Sequence, residues 1–282
     1  MTDNGTPALA YLGVSTSITG RPWRGPTAAE DRAAEALVQT TRLPLPVARV
    51  LAHRGIAPDE AESFLSPTLR DLLPDPLTLR DMGKAAERIL KAVAAGERIA
   101  IFADYDVDGA TSGALLHLWL RDMGREATLY VPDRIDEGYG PNEPAMAALA
   151  KGHSLIVCVD CGTLSHGPIA AAKGADVVVL DHHLGGETLP PAHAVVNPNR
   201  QDESGDLGHL CAAGVVFLSL VEANRQLRAA GKSEPDLMGL LDLVALGTVA
   251  DVAPLIGVNR AFVRQGLQVL ARRERLGLRA LA

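Results

Sequence analysis

RIAIFADYDVDGATSG, residues 98–113, is the stretch on which the fold turns. Its first half is an apolar run of β-formers, short enough for a buried strand. Its second half sets three carboxylates at alternate positions, Asp104, Asp106 and Asp108, then Gly109 and a helical pattern over 110–123. A strand that ends in acids and passes at once into a helix opens a β-α unit, and in sheets of such units ligands gather beyond the carboxyl ends of the strands.

Working outward, further strands are expected at 127–131, 154–160, 176–180 and 193–196, with helices at 143–151, 166–173, 209–230, 236–248 and 258–272. The alternation predicts an α/β fold, a mostly parallel sheet flanked by helices, over 98–256. Upstream, residues 1–25 (with TGRPWRGPT at 19–27) read as a flexible leader. Residues 26–97 read as a small helical N-terminal segment, with helices near 28–39, 44–54 and 58–66 and a longer one closing at Gly96.

The 282 residues are 47% hydrophobic and 22% charged, which is ordinary for a globular protein. Residues 1–98 carry 12 acidic and 12 basic side chains, so the whole net charge of −7 lies beyond them. An acidic total argues against coating nucleic acid through bulk charge, unless bound cations mask the acids. Aromatic residues make up only 4%, too few for an extended base-stacking platform. No membrane-length apolar run occurs and the first residues lack a signal-peptide pattern, so the chain is expected to be cytoplasmic. Cys158, Cys161 and Cys211 fit a reducing compartment, and the Cys158/Cys161 spacing is read as core packing rather than a zinc site.

Acids and imidazoles recur where the strands stop. Asp160 ends the strand at 154–160, Asp181 with His182 and His183 follows the one at 176–180, and Asp251 follows a helical stretch. Carboxylates at this density would be driven to protonate unless cations offset their charge. Oxygen ligands with some imidazole and no thiolate suit manganese or magnesium. The calcium-loop reading of DYDVDG fails because the twelfth position from Asp104 is Leu115 rather than glutamate. The dinucleotide-binding reading fails because no G-x-G-x-x-G follows the strand.

Five motifs, DYDVDGATS, DEGYGP, VCVDCGT, VLDHHL and LVALGTVADVAPL, stand in an order that resembles the DHH phosphoesterase superfamily, and within it the RecJ-like exonucleases of bacteria. The likeness runs over about residues 45 to 275. It implies a DHH catalytic domain at 98–256 acting as a phosphodiesterase, a 5′-to-3′ exonuclease that releases mononucleotides from single-stranded DNA in recombination and repair. It implies two cations, Mn2+ or Mg2+, with Asp106, Asp108, Asp160, His182 and Asp251 as ligands and His183 as a ligand or phosphate contact. Asp104 and Asp181 are then close supporting residues, and Asp160 is the bridging candidate.

Around that centre, the loop RIDEGYGPN (134–142) offers Gly138, Tyr139 and Gly140 for a close approach to substrate, with Arg134 and His209 as candidate phosphate contacts. The resemblance also implies that residues 257–282 begin a linker helix, and that the C-terminal domains supplying most of the grip on DNA lie beyond this sequence. Two other readings remain: a phosphodiesterase of short oligonucleotides or cyclic dinucleotides, and a non-catalytic scaffold, which predicts eroded ligands. Removal of Asp108 is expected to leave the fold intact, because it relieves repulsion.

Overall fold

The computed structural model describes residues 10–281; residues 1–9 of the expected leader, and Ala282, lie outside them. The chain divides into two compact units, Met1–Pro67 and Thr68–Ala282.

The first unit holds α1 (Ala28–Thr41), α2 (Leu45–His53) and α3 (Ala61–Leu65). Thr27 and Glu30 close a capping box at the start of α1, satisfying two main-chain donors reciprocally. Ala34, Leu37, Ala48, Leu51 and Ala61 form its small core. Residues 10–25 are less loose than the sequence suggests: the Tyr11 amide donates to the Trp23 carbonyl at 2.9 Å and the Trp23 amide to Val14 at 3.0 Å, so the segment folds back on itself.

The second unit begins with α4 (Leu69–Leu72) and α5 (Met82–Ala95). The break after Pro67 gives these helices to the sheet-bearing unit rather than to a helical segment spanning 26–97. The reason is burial: Met82, Ala85, Ala86 and Ile89 of α5 join the core beneath the sheet.

Five parallel strands follow: β1 (Ile99–Ala103), β2 (Ala127–Tyr130), β3 (Leu155–Val159), β4 (Asp176–Leu180) and β5 (Ala194–Val196), in the order β2-β1-β3-β4-β5. The helices between and after them are α6 (Val107–Asp122), α7 (Glu143–Ala150), α8 (His166–Ala171), α9 (Ala212–Ala229), α10 (Leu241–Ala250), α11 (Gly257–Leu270) and α12 (Leu276–Leu281).

Strand periodicity sorts the core. Ile99, Ile101, Leu155, Val157, Val178 and Leu180 point to one face, with side chains of α5, α6, α9 and α10. Ala100, Phe102, Ile156, Cys158, Val177 and Val179 point to the other, with α7 and α8. Cys158, Cys161 and Cys211 are buried and free, in keeping with packing. Among the described residues no helix is long and apolar enough to cross a membrane.

Gly109 shows why glycine follows the acids. It lies in the first turn of α6, and a Cβ there would collide with the main chain of Asp104. The strand end and the helix start can therefore touch only if position 109 lacks a side chain. Gly109→Ala is expected to destabilise the unit by about 1–3 kcal/mol, as overpacking does. An unchanged urea midpoint would show that the turn has slack.

Candidate metal centre

Register builds the site. Ala103 of β1 lies beside Val159 of β3, and Val159 beside Leu180 of β4. The next residue on each strand is Asp104, Asp160 and Asp181, so three acids stand side by side on three adjacent strands. Ladder hydrogen bonds continue one step to hold them: the Asp104 amide donates to Val159, that of Asp160 to Leu180, and that of Asp181 to Val196. All three carboxylates are buried.

The other acids arrive on helix ends. Asp106 is the N-cap of α6, its Oδ1 accepting from the Gly109 amide at 2.9 Å. Asp108 sits in the first turn of α6 and is 1% exposed. Its two oxygens accept from the amides of Ala212 and Ala213, at 2.6 and 2.9 Å, and so satisfy the start of α9. Both helix N-termini point positive dipole ends at the cluster. Asp251 is the C-terminal cap of α10, followed by a left-handed Val252.

The DHH turn then folds over the acids. His182 Nε2 lies 3.3 Å from Asp160 Oδ1 and 3.7 Å from Asp108 Oδ2, and its Nδ1 lies 3.9 Å from Asp251. His183 Nδ1 donates to Asp181 Oδ1 at 2.8 Å. Asp181 accepts also from the His182 amide and, through Oδ2, from the Thr163 amide, which occupies both of its oxygens.

Three sets of ligand atoms each lie within 4.8 Å of one another: Asp104, Asp106 and Asp160; Asp108, His182 and Asp251; and Asp160, His182 and His183. The Oδ1 atoms of Asp104 and Asp160 are buried with no hydrogen-bond partner. A buried carboxylate oxygen left without a donor is strongly unfavourable, and a cation answers that need. The donor set, carboxylates with imidazole, fits manganese or magnesium.

Electrostatics agree. Burial, reinforced by Asp108 and Asp106, pushes Asp160 up to about 10, and burial likewise raises Asp104, Asp108 and Asp251. Asp181 behaves oppositely: burial alone would raise it, but the His183 and Thr163 hydrogen bonds hold it at about 2. The hydrogen bond to Asp181 raises the pKa of His183, against its burial.

Of the peripheral residues named from sequence, Tyr139 reaches the centre. Its hydroxyl donates to the Asp160 carbonyl at 3.2 Å and lies 3.1 Å from ring nitrogens of His183. Gly138 and Gly140, both left-handed, bring it there. Arg134 stacks its guanidinium over Tyr105, 5.3 Å from the ring centroid. His209 is not brought into the cluster. Its Nε2 is buried without a partner and faces Gly257, and burial lowers its pKa.

Sequence reading missed Thr163, Asn197 and Asn199, which hold the DHH turn, and the left-handed backbone of Asp160 (φ 62°). Two asparagines flanking Pro198 directly after a strand were the available signal.

A family model described as the DHH family, N-terminal domain, matches residues 98–248. The single-stranded-DNA-specific exonuclease RecJ of Dickeya dadantii is 44% identical over 250 residues, covering 85% of this chain and 43% of that protein. The crystal structure of RecJ in complex with Mn2+ from Thermus thermophilus superposes with a TM-score of 0.72 at 31% identity, over 89% of this chain and 35% of that one. A crystal structure of exonuclease RecJ bound to manganese gives a TM-score of 0.65 at 36% identity, over 72% and 51%. The chain thus spans less than half the length of the Dickeya relative.

Proposed function

The chain belongs to the DHH family, and from that premise we propose that it is the catalytic portion of a metal-dependent phosphodiesterase, a RecJ-like 5′-to-3′ exonuclease acting on single-stranded DNA. One observation carries the reading: three neighbouring strand ends place Asp104, Asp160 and Asp181 in a row, and two of these acids keep a buried oxygen that no protein donor satisfies.

Asp104, Asp106 and Asp160 would hold one cation, and Asp108, His182 and Asp251 the other, with Asp160 grouped also with His182 and its Oδ1 3.3 Å from His182 Nε2. Two divalent cations held there, manganese or magnesium, would supply Lewis acidity and a water of lowered pKa for phosphodiester hydrolysis. The chain's own residues do the rest. Asp181 fixes His183 and raises its pKa, so that its exposed ring is suited to a phosphate oxygen. Tyr139 ties the 133–142 loop to the backbone of Asp160 and so closes one wall of the site. The Arg134 guanidinium, supported on Tyr105 and exposed, is placed to meet the DNA backbone. No side chain need act as nucleophile.

The eight candidate acids and imidazoles, Asp104, Asp106, Asp108, Asp160, Asp181, His182, His183 and Asp251, all remain, which speaks against a scaffold that has lost its ligands. Three buried free cysteines support a reducing, cytoplasmic setting. The test offers a 5′-phosphorylated single strand and a dinucleotide, each with manganese and with chelator. Release of mononucleotides from the strand, with the higher kcat/KM and only with metal, is expected. Faster turnover of the dinucleotide would move the assignment to a small-substrate phosphodiesterase. Manganese uptake with neither substrate cleaved would indicate a scaffold.

A further inference from the structure

The turn bearing His182 and His183 leaves β4 and must present two adjacent imidazoles in different directions. Side-chain torsions alone do not hold two rings in place when the main chain beneath them can move. Here the main chain is gripped from outside the turn. Asn197, fully buried and the first residue after β5, donates from Nδ2 to the His183 carbonyl at 2.8 Å and to Thr163 Oγ1 at 2.8 Å. Asn199 donates from Nδ2 to the His182 carbonyl at 2.5 Å.

The two amides are locked to each other. Asn197 Oδ1 accepts from the Asn199 amide at 2.7 Å, and Pro198 between them fixes φ and offers no competing donor. The Asn199 carbonyl in turn accepts from the Gly185 amide at 3.1 Å, closing the far side of the turn. Each histidine is thus anchored at its own carbonyl by its own asparagine. Thr163, the shared neighbour, also donates its amide to Asp181 and links the clamp to the carboxylate that orients His183.

We propose that Asn197 and Asn199 are positioning residues: they touch neither cation nor substrate, and they set the imidazoles of His182 and His183 by clamping the main chain beneath them. The proposal rests on the metal-centre reading above. Outer partners that orient metal ligands contribute about 10–100-fold to metal affinity.

Asn199 is the residue to test, because it is only half-buried and its loss leaves Asn197 in place. In Asn199→Ala, calorimetric titration is expected to show ~10–100-fold weaker manganese uptake at one of two positions. In the metal-free protein carrying 13C-labelled histidine, the His182 ring signals are expected to shift. Asn224→Ala is the control for mere loss of stability, since Asn224 bonds Trp119 and the Pro235 carbonyl within the helical layer. It should leave both readouts unchanged. Unchanged affinity or unchanged ring signals in Asn199→Ala would overturn the clamp. If the wild-type chain took up no manganese the metal reading would fall, and the ring signals alone would then decide for or against the clamp.

Discussion

Asp160→Asn is expected to lower manganese-dependent hydrolysis by ~1,000-fold or more, since loss of one preorganised stabilising group in an active site already reduces kcat by about 100–1,000-fold and Asp160 is grouped with ligands of both cation positions. Asparagine keeps the size of the side chain and tolerates the left-handed backbone at this residue, so the fold should survive. Indeed the metal-free variant should be the more stable protein above neutral pH. In the wild type, burial holds Asp160 at about 10 when folded, against an ordinary carboxylate value when unfolded. An acid raised in this way keeps its proton in the folded state after the unfolded chain has lost it. Its contribution is fully present below about pH 4 and is lost as pH rises toward 10. Thermal melts with chelator should therefore show wild-type stability declining across that window, a flatter profile for Asp160→Asn, and a manganese-induced gain in Tm that widens with pH in the wild type alone. Activity of Asp160→Asn within tenfold of wild type would refute the site.

The second large effect separates two ligands of the same proposed position. Asp108→Ala removes the side chain that accepts from the amides of Ala212 and Ala213, leaving two donors unpaired at the start of an 18-residue helix. At about 1–3 kcal/mol for each unsatisfied buried group, the loss should be roughly 2–6 kcal/mol. This reverses the expectation from sequence that relief of repulsion leaves the fold untouched. Asp251→Ala provides the contrast, because that carboxylate is half-buried and lies 3.9 Å from His182 Nδ1, beyond hydrogen-bond distance. Its urea midpoint should stay within about 1 kcal/mol of wild type, as surface-like substitutions do. Both variants should lose manganese uptake. Equal midpoints for the two would show that Asp108 does not hold α9.

Much of this was legible because it is local. The strand at 98–104 could be placed within a residue of Ile99–Ala103 by its apolar run and the acids that stop it. The grouping of acids at one sheet edge follows from strand ends alone. What escaped is non-local. Asp108 meets amides about a hundred residues away, and nothing near Ala212 announces a carboxylate partner. The asparagines after β5 act on a turn some fifteen residues earlier. The division at Pro67 depends on which face α5 buries, which periodicity shows only as a stripe without a destination.

The alignment of Asp104, Asp160 and Asp181 across β1, β3 and β4 has a consequence for how such a protein varies. The spacing between these carboxylates is inherited from the separation of hydrogen-bonded strands, about 4.8 Å, a distance written in peptide geometry and indifferent to which apolar side chains fill the layers above and below. Core substitutions can then accumulate freely while the ruler that measures the reaction stays the same length.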